Sequence, residues 1–322
     1  MPDNRLGSLT PLVKAWVNES VGWFTYSQLD TDLDIKSREA KTIRRVAMHD
    51  MVKDGLVERA EGKNGVFRKY QTELIEIDWK NASSTNIVPL ELPFNLHNYV
   101  KIFPKSIIVI AGESNSGKTA FLYNTILINI YNNVLMGGTR GEGGSKGEGG
   151  NYPKYNIDLY NSETSAEQMN ERFTNFDEYV IPSPPPFKTY ERYDNFADVI
   201  NPDNISVIDY IDFSSEVYLI GQELENIHRK LKRGVAICAI QKKGSYIAKG
   251  GQKVNPKLGY GAEMSLKKAS LYLSMGHGTL EIVKGKSWAD SQINPNGLKW
   301  EFQLVKGAKF VNVKRVGGDE VF

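Results

Sequence analysis

The sequence carries a single cysteine, Cys238, among 322 residues. One thiol excludes an intramolecular disulfide framework and a multi-cysteine zinc site. The four histidines are scattered and never take the H-E-x-x-H spacing of a helix-borne zinc pair. Nowhere do about 18 apolar residues run together, so no membrane-spanning helix and no membrane partner are expected. The opening residues, MPDNRLGSLTP, lack the charged, apolar and small-residue succession of a secretory signal, which points to a cytoplasmic protein. Net charge is also nearly absent, since 40 Lys and Arg stand against 38 Asp and Glu. What remains is ordinary for a globular chain: 40% hydrophobic and 24% charged residues, at a length that allows about two domains of roughly 150 residues each.

The near-zero total hides an uneven distribution. Residues 1–80 hold 13 basic and 13 acidic side chains, residues 81–241 hold 13 and 19, and residues 242–322 hold 14 and 6. The last segment is therefore +8, the electrostatic footprint of a phosphate-backbone partner.

Residues 1–80 read as a small module. Leu9, Leu12, Val13, Trp16 and Val17 recur at helical spacing, and Leu29, Leu33 and Ile35 form a second short stretch. Ser37 N-caps a third helix whose apolar face is Ile43, Val46, Ala47, Met51 and Val52, ended by Gly55. Residues 56–60 and 66–70 then read as two strands around a Gly-rich turn. This order resembles a winged helix-turn-helix domain. The resemblance implies that the third helix enters a DNA major groove, with Lys36, Arg38, Lys41, Arg44 and Arg45 near its start as the contacts. Winged helices also bind proteins, so DNA or protein contact stays open here. Residues 81–100, with two prolines among Ser and Asn, read as a linker.

The sharpest signal is Gly112-Glu113-Ser114-Asn115-Ser116-Gly117-Lys118-Thr119, which fits G-x-x-x-x-G-K-[ST]. It stands between an apolar strand run, SIIVIA, and a helix-length apolar stretch, TAFLYNTILINIY. Glycines in such a loop let backbone N–H groups converge on phosphate oxygens, and the helix N-terminus adds a favourable dipole. Lys118 is expected on the β- and γ-phosphates of ATP and Thr119 on Mg²⁺.

Further apolar runs each end in a polar group, where open α/β sheets keep their ligands. Asp209, after residues 205–208, reads as the carboxylate that holds Mg²⁺ with its water shell. Glu163, in Asn161-Ser162-Glu163, reads as the general base for the attacking water, and Gln241 as a γ-phosphate sensor. Over residues 87–315 these segments resemble the RecA/DnaB-type branch of P-loop ATPases. The stretches that carry the resemblance are VKIFPKSIIVIAGESNSGKTAF, LYNSETSAEQMNERF, ISVIDYIDF, VAICAIQKKG and LEIVKGKSW. It implies a RecA-like α/β core with a mostly parallel sheet over residues 101–322, assembled as a hexameric ring or filament. It also implies that Lys284 and Lys286 reach the neighbouring subunit's nucleotide. The family hairpin usually ends in arginine, and lysine supplies charge without the planar fork.

Residues 136–150, with eight glycines in fifteen, read as a flexible insertion. Residues 242–257 follow Gln241 and carry Lys242, Lys243, Lys249, Lys253 and Lys257, with Tyr246 among them. In the RecA type the loop at this position faces DNA, so these lysines are expected on the backbone. The expected function is an oligomeric, Mg²⁺-dependent, DNA-binding ATPase of replication, recombination or repair, of a kind that suits a phage or mobile element. Two alternatives stay open: an ATP-gated DNA-binding regulator or loader without helicase activity, and an ATPase whose winged helix contacts protein only.

Overall fold

The computed structural model describes residues 9–20, 22–70, 74, 76–131, 155–212, 219–247, 251–254 and 256–316, with Lys253 and Ala262 as backbone alone. Residues 136–150 and Lys249 lie outside that set. The chain divides into two compact units, Met1–Asn81 and Ala82–Phe322.

In the smaller unit, α1 (Leu9–Glu19), β1 (Trp23–Thr25), α2 (Tyr26–Asp32) and α3 (Arg38–Lys53) precede a hairpin of β2 (Val57–Arg59) and β3 (Val66–Lys69). The Thr25 hydroxyl accepts from Gln28 N while Gln28 Oε1 accepts from Thr25 N, a capping box that starts α2. The Ser37 hydroxyl accepts from Ala40 N and starts α3. The strands pair antiparallel in the order β1-β3-β2. Strand β1 is missing from the sequence reading, because three residues are too few to display an alternation. Val13, Val17, Leu29, Met48, Met51 and Phe67 fill the core.

The larger unit is built on β4 (Ile107–Gly112), α4 (Lys118–Tyr131), β5 (Ile157–Asn161), α5 (Ala166–Thr174), β6 (Lys188–Glu191), α6 (Phe196–Val199), β7 (Ile205–Ile211), α7 (Leu219–Lys230) and β8 (Val235–Gln241). A small ribbon of β9 (Tyr246–Ile247) and β10 (Lys253–Val254) follows, then α8 (Ala262–Lys268), β11 (Leu271–Gly276), β12 (Thr279–Gly285), β13 (Lys299–Val305) and β14 (Lys309–Val316). Among the described residues nine strands form one sheet, ordered β14-β13-β12-β11-β4-β8-β7-β5-β6. The six from β11 to β6 are parallel, and β12, β13 and β14 extend the β11 side antiparallel.

The central strands are apolar on both faces because helices cover both. Ile108, Ile110, Ile237 and Ala239 pack with Phe121, Leu122 and Ile126 of α4. Ile107, Val109, Ala236 and Cys238 pack on the other side with Ile220, Leu224 and Ile227 of α7. Burial holds the Cys238 thiol far above its usual range, so it is a core residue.

From Val88 onward the segment read as a linker is instead core, while residues 81–86 are exposed. Val88, Leu90 and Leu92 alternate inward, and Leu96 and Val100 follow them into the larger unit. Asn129 on α4 holds this extended stretch as a strand neighbour would. Its Oδ1 accepts from Glu91 N at 2.9 Å and its Nδ2 donates to Glu91 O at 2.7 Å. The two prolines bar a continuous helix but not an extended chain with period-2 burial, and a short 3-10 turn over Pro93–Asn98 follows it.

Candidate active site

Strand register brings the polar strand ends together. Gly112 pairs with Gln241 of β8 and with Met275 of β11, and Asn161 of β5 pairs with Asp209 of β7. The phosphate-type loop, Gln241, Asp209 and the Ser162-Glu163 turn therefore share the carboxyl edge of the parallel strands.

The loop has the backbone that its sequence requires. Asn115 and Gly117 take positive φ, 58° and 101°. A Cβ on Gly112 would come within 2.5 Å of both Lys118 Cγ and Ser116 Oγ, so the loop closes only over glycine. Lys118 Nζ donates to Glu113 O at 2.9 Å and Gly112 O at 3.3 Å, and lies 3.4 Å from Gln241 Oε1. Burial lowers the Lys118 pKa, against the attraction of Asp209 and Glu163. The Ser116 hydroxyl is buried without a partner.

Asp209 is the one carboxylate among the described residues with both oxygens buried and unpartnered. It is 1% exposed, and neither carboxylate oxygen has a hydrogen-bond partner among the described residues. Burial pushes its pKa up to about 6; the Thr119 hydroxyl beside it, outside bonding geometry, pulls the other way, Glu163 adds to the rise, and Arg172 and Lys118 oppose it. A buried acceptor pair with a hydroxyl and a second carboxylate around it suits a hard cation that binds through oxygen and keeps waters. Thr119 and Asp209 would hold such a cation.

The exposed Glu163 is presented by a tied turn. Asn161 Oδ1 accepts from Thr164 N at 3.1 Å and from the Thr164 hydroxyl at 2.6 Å. Ser162 N donates to Asp209 O at 2.9 Å, and Tyr210 N donates to the Ser162 hydroxyl at 3.1 Å. The turn is thus fastened to the end of β7.

Arg172 is not named by the sequence reading, and Glu113 enters it only as one position of the phosphate-binding loop, with no partner assigned. Arg172, on α5, lies within electrostatic reach of Asp209 and Tyr123. Glu113, second in the loop, turns away from Lys118 Nζ toward Lys242 Nζ (3.9 Å) and His277 Nε2 (3.7 Å). Their partners come from remote strands, so no local spacing announces them.

The expected nucleic-acid residues divide. Lys36, Arg38, Lys41 and Arg45 are exposed, and the last three share a face of α3 at i, i+3 and i+7. Arg44 is corrected: it is buried, donates to Asp30 Oδ2 at 2.9 Å and lies 3.8 Å from the Tyr26 ring centroid. It is one helical position off the exposed face, so its charge goes to the fold. Lys242 is corrected likewise. It is buried, its Nζ donates to the Ser274 hydroxyl at 3.0 Å, and its N donates to Gly112 O at 2.9 Å. Lys243 is exposed, as are Tyr246 and Ile247 on the β9–β10 ribbon.

Lys284 and Lys286 stand at the opposite end of the sheet. Gly285 pairs with Leu271, whereas Gly112 pairs with Met275, about 13 Å further along β11 at 3.3 Å per residue. Neither completes the loop of its own chain. Lys284 Nζ donates to Leu266 O at 2.8 Å in the last turn of α8, so Lys286 is the more exposed of the pair.

No family model matches this sequence, and no curated protein matches it. Among solved structures, the crystal structure of the RadB recombinase superposes with a TM-score of 0.41 at 12% identity, covering 67% of this chain and 94% of that one. A likeness of that degree carries no functional weight, and the functional reading rests on the geometry of the site. Among the described residues no helix is long and apolar enough to cross a membrane.

Proposed function

We propose that the larger unit is a Mg²⁺-dependent ATPase of the RecA/DnaB type. On this reading the smaller unit is a winged-helix module, and the whole chain works as a DNA-binding homo-oligomer in replication, recombination or repair. The observation that carries this reading is Asp209: a buried carboxylate with no donor, beside Thr119 and within the field of Lys118 and Glu163. In a chain without a ligand such a group is a cost, and a bound cation removes it.

The residues take complementary roles. The loop and Lys118 bind the β- and γ-phosphates. Thr119 and Asp209 hold Mg²⁺, which neutralises charge on the phosphate oxygens when bound. Glu163 accepts a proton from the attacking water as its oxygen bonds to the γ-phosphorus and the bond to the ADP oxygen breaks. Gln241 hydrogen-bonds the γ-phosphate. Its carbonyl accepts from Tyr260 N at 2.7 Å, which ties the sensor to the base of the 242–257 segment. A change at Gln241 is thereby passed to a segment with exposed Lys243 and Tyr246, suited to a phosphate backbone and to base stacking. Lys286 of one copy would reach the nucleotide of the next, which makes assembly part of the reaction.

The test is hydrolysis with and without DNA, alongside particle shape in a non-hydrolysable ATP analogue. Glu163→Gln should bind nucleotide normally and lose turnover by roughly 100- to 10,000-fold, the usual worth of a general base. Unchanged turnover removes Glu163 from that role. DNA-stimulated hydrolysis by a ring or filament supports the motor reading; slow turnover with nucleotide-gated, site-specific binding supports a regulator or loader. A monomer indifferent to DNA sinks both.

A further inference from the structure

Tyr123 lies outside every role described above. It is 1% exposed, and its hydroxyl is buried with no hydrogen-bond partner among the described residues. A phenylalanine would fill the same space without burying a polar atom, so the hydroxyl is a cost that the ligand-free chain does not recover.

Its placement is specific. Tyr123 follows Thr119 by four residues on α4, so both side chains lie on one helix face about 6 Å apart along the axis. Long helical side chains lean back toward the helix N-terminus, which carries the phenol toward the Thr119 turn. Its ring stacks on Phe173 at a centroid distance of 4.4 Å with planes 2° apart, which fixes its direction. Phe173 directly follows Arg172 on α5. Burial and the nearby Asp209 push the Tyr123 pKa up to about 12; the Thr164 hydroxyl, close by but outside bonding geometry and itself donating to Asn161 Oδ1, and Arg172 act against them, so the Tyr123 hydroxyl keeps its proton and is a donor.

A buried donor without an acceptor thus shares the Thr119 face with Asp209, a buried acceptor pair without a donor. They make no direct bond. A water that accepts from one and donates to the other satisfies both. We infer that Tyr123 is a positioning residue for the cation site: its hydroxyl, through such a water, orients the Asp209 carboxylate toward the cation. This rests on the ATPase reading of the same site and adds a residue to it.

The experiment titrates Mg²⁺ against binding of a fluorescent, non-hydrolysable ATP analogue to the full chain, for wild type and Tyr123→Phe. The variant should need about 10-fold or more Mg²⁺ for half-maximal Mg²⁺-dependent binding, the size usual for outer-shell partners of metal ligands. Binding in EDTA should be unchanged. Melting in EDTA should be no lower than wild type, whereas a purely structural hydroxyl would lower it. An unchanged Mg²⁺ midpoint, or a lower melting temperature with an unchanged midpoint, overturns the role of Tyr123 and leaves the ATPase reading intact. A wild-type chain that binds no nucleotide at any Mg²⁺ concentration overturns both.

Discussion

Each unit of this chain takes an aspartate out of water, and the two are treated in opposite ways. In the smaller unit Asp30 meets Arg44 at 2.9 Å, and the guanidinium also covers the Tyr26 ring. In the larger unit Asp209 is buried more completely and meets no donor. The charge of the first carboxylate is met by its own fold through Oδ2, although Oδ1 is buried without a partner among the described residues. The second awaits a charge that the chain does not supply. The same contrast holds for cations: Arg44 is spent on packing, while Lys118 is held on loop carbonyls beside Asp209.

If that contrast is right, substitutions in the two units should fail in different assays. Lys118→Ala should weaken nucleotide binding and lower turnover by about 1,000-fold, as loss of a charge-stabilising donor does, with unchanged melting of the smaller unit. Arg44→Ala should cost about 3–5 kcal/mol in unfolding of the smaller unit, because it strands Asp30, and should leave nucleotide binding untouched. Arg45→Ala, one residue on, should stay within about 0.5 kcal/mol. Stability loss in the Lys118 variant, or none in the Arg44 variant, would erase the distinction.

Asp209→Asn should act with the opposite sign. The folded pKa of about 6 lies above the ordinary 3.8, so the folded chain holds its proton longer than the unfolded one. Wild-type stability in EDTA should therefore fall as pH rises from about 4 to about 6, a fall the asparagine variant lacks. At pH 7.5 the variant should be the more stable by up to about 3 kcal/mol, and the gap should close below pH 4. With Mg²⁺ and nucleotide the order should reverse. Parallel pH–stability curves in EDTA would show that Asp209 is not strained.

The smallest effect concerns the exposed row of α3. Lys41→Ala or Arg45→Ala should each reduce the slope of log affinity for DNA against log salt by about 1 without altering melting. No change in slope would point the smaller unit at a protein partner.

Much of this was legible in the sequence because it is local. The loop 112–119 must be a strand-to-helix turn, since its glycines and its apolar flanks admit little else. Ser37 had to begin a helix, and the runs before Asp209 and Gln241 had to be buried strands. The tertiary structure decided what spacing cannot encode. Arg44 and Arg45 are adjacent and chemically alike, yet only packing against Tyr26 and Asp30 turns one inward. Lys242 leads a basic run but is drawn in by Ser274 and Glu113, from β11 and the loop. Within residues 81–100, the stretch from Val88 on reads as a tether in sequence, and only Asn129, as the partner for Glu91, makes it part of the core. Tyr123 read as one more apolar-face residue of a helix, and only its burial on the Thr119 face, near Asp209, exposes the hydroxyl as an unanswered donor. Local sequence sets which element forms and where it ends. Whether a polar side chain meets a partner depends on elements from 14 to more than a hundred residues apart being packed together.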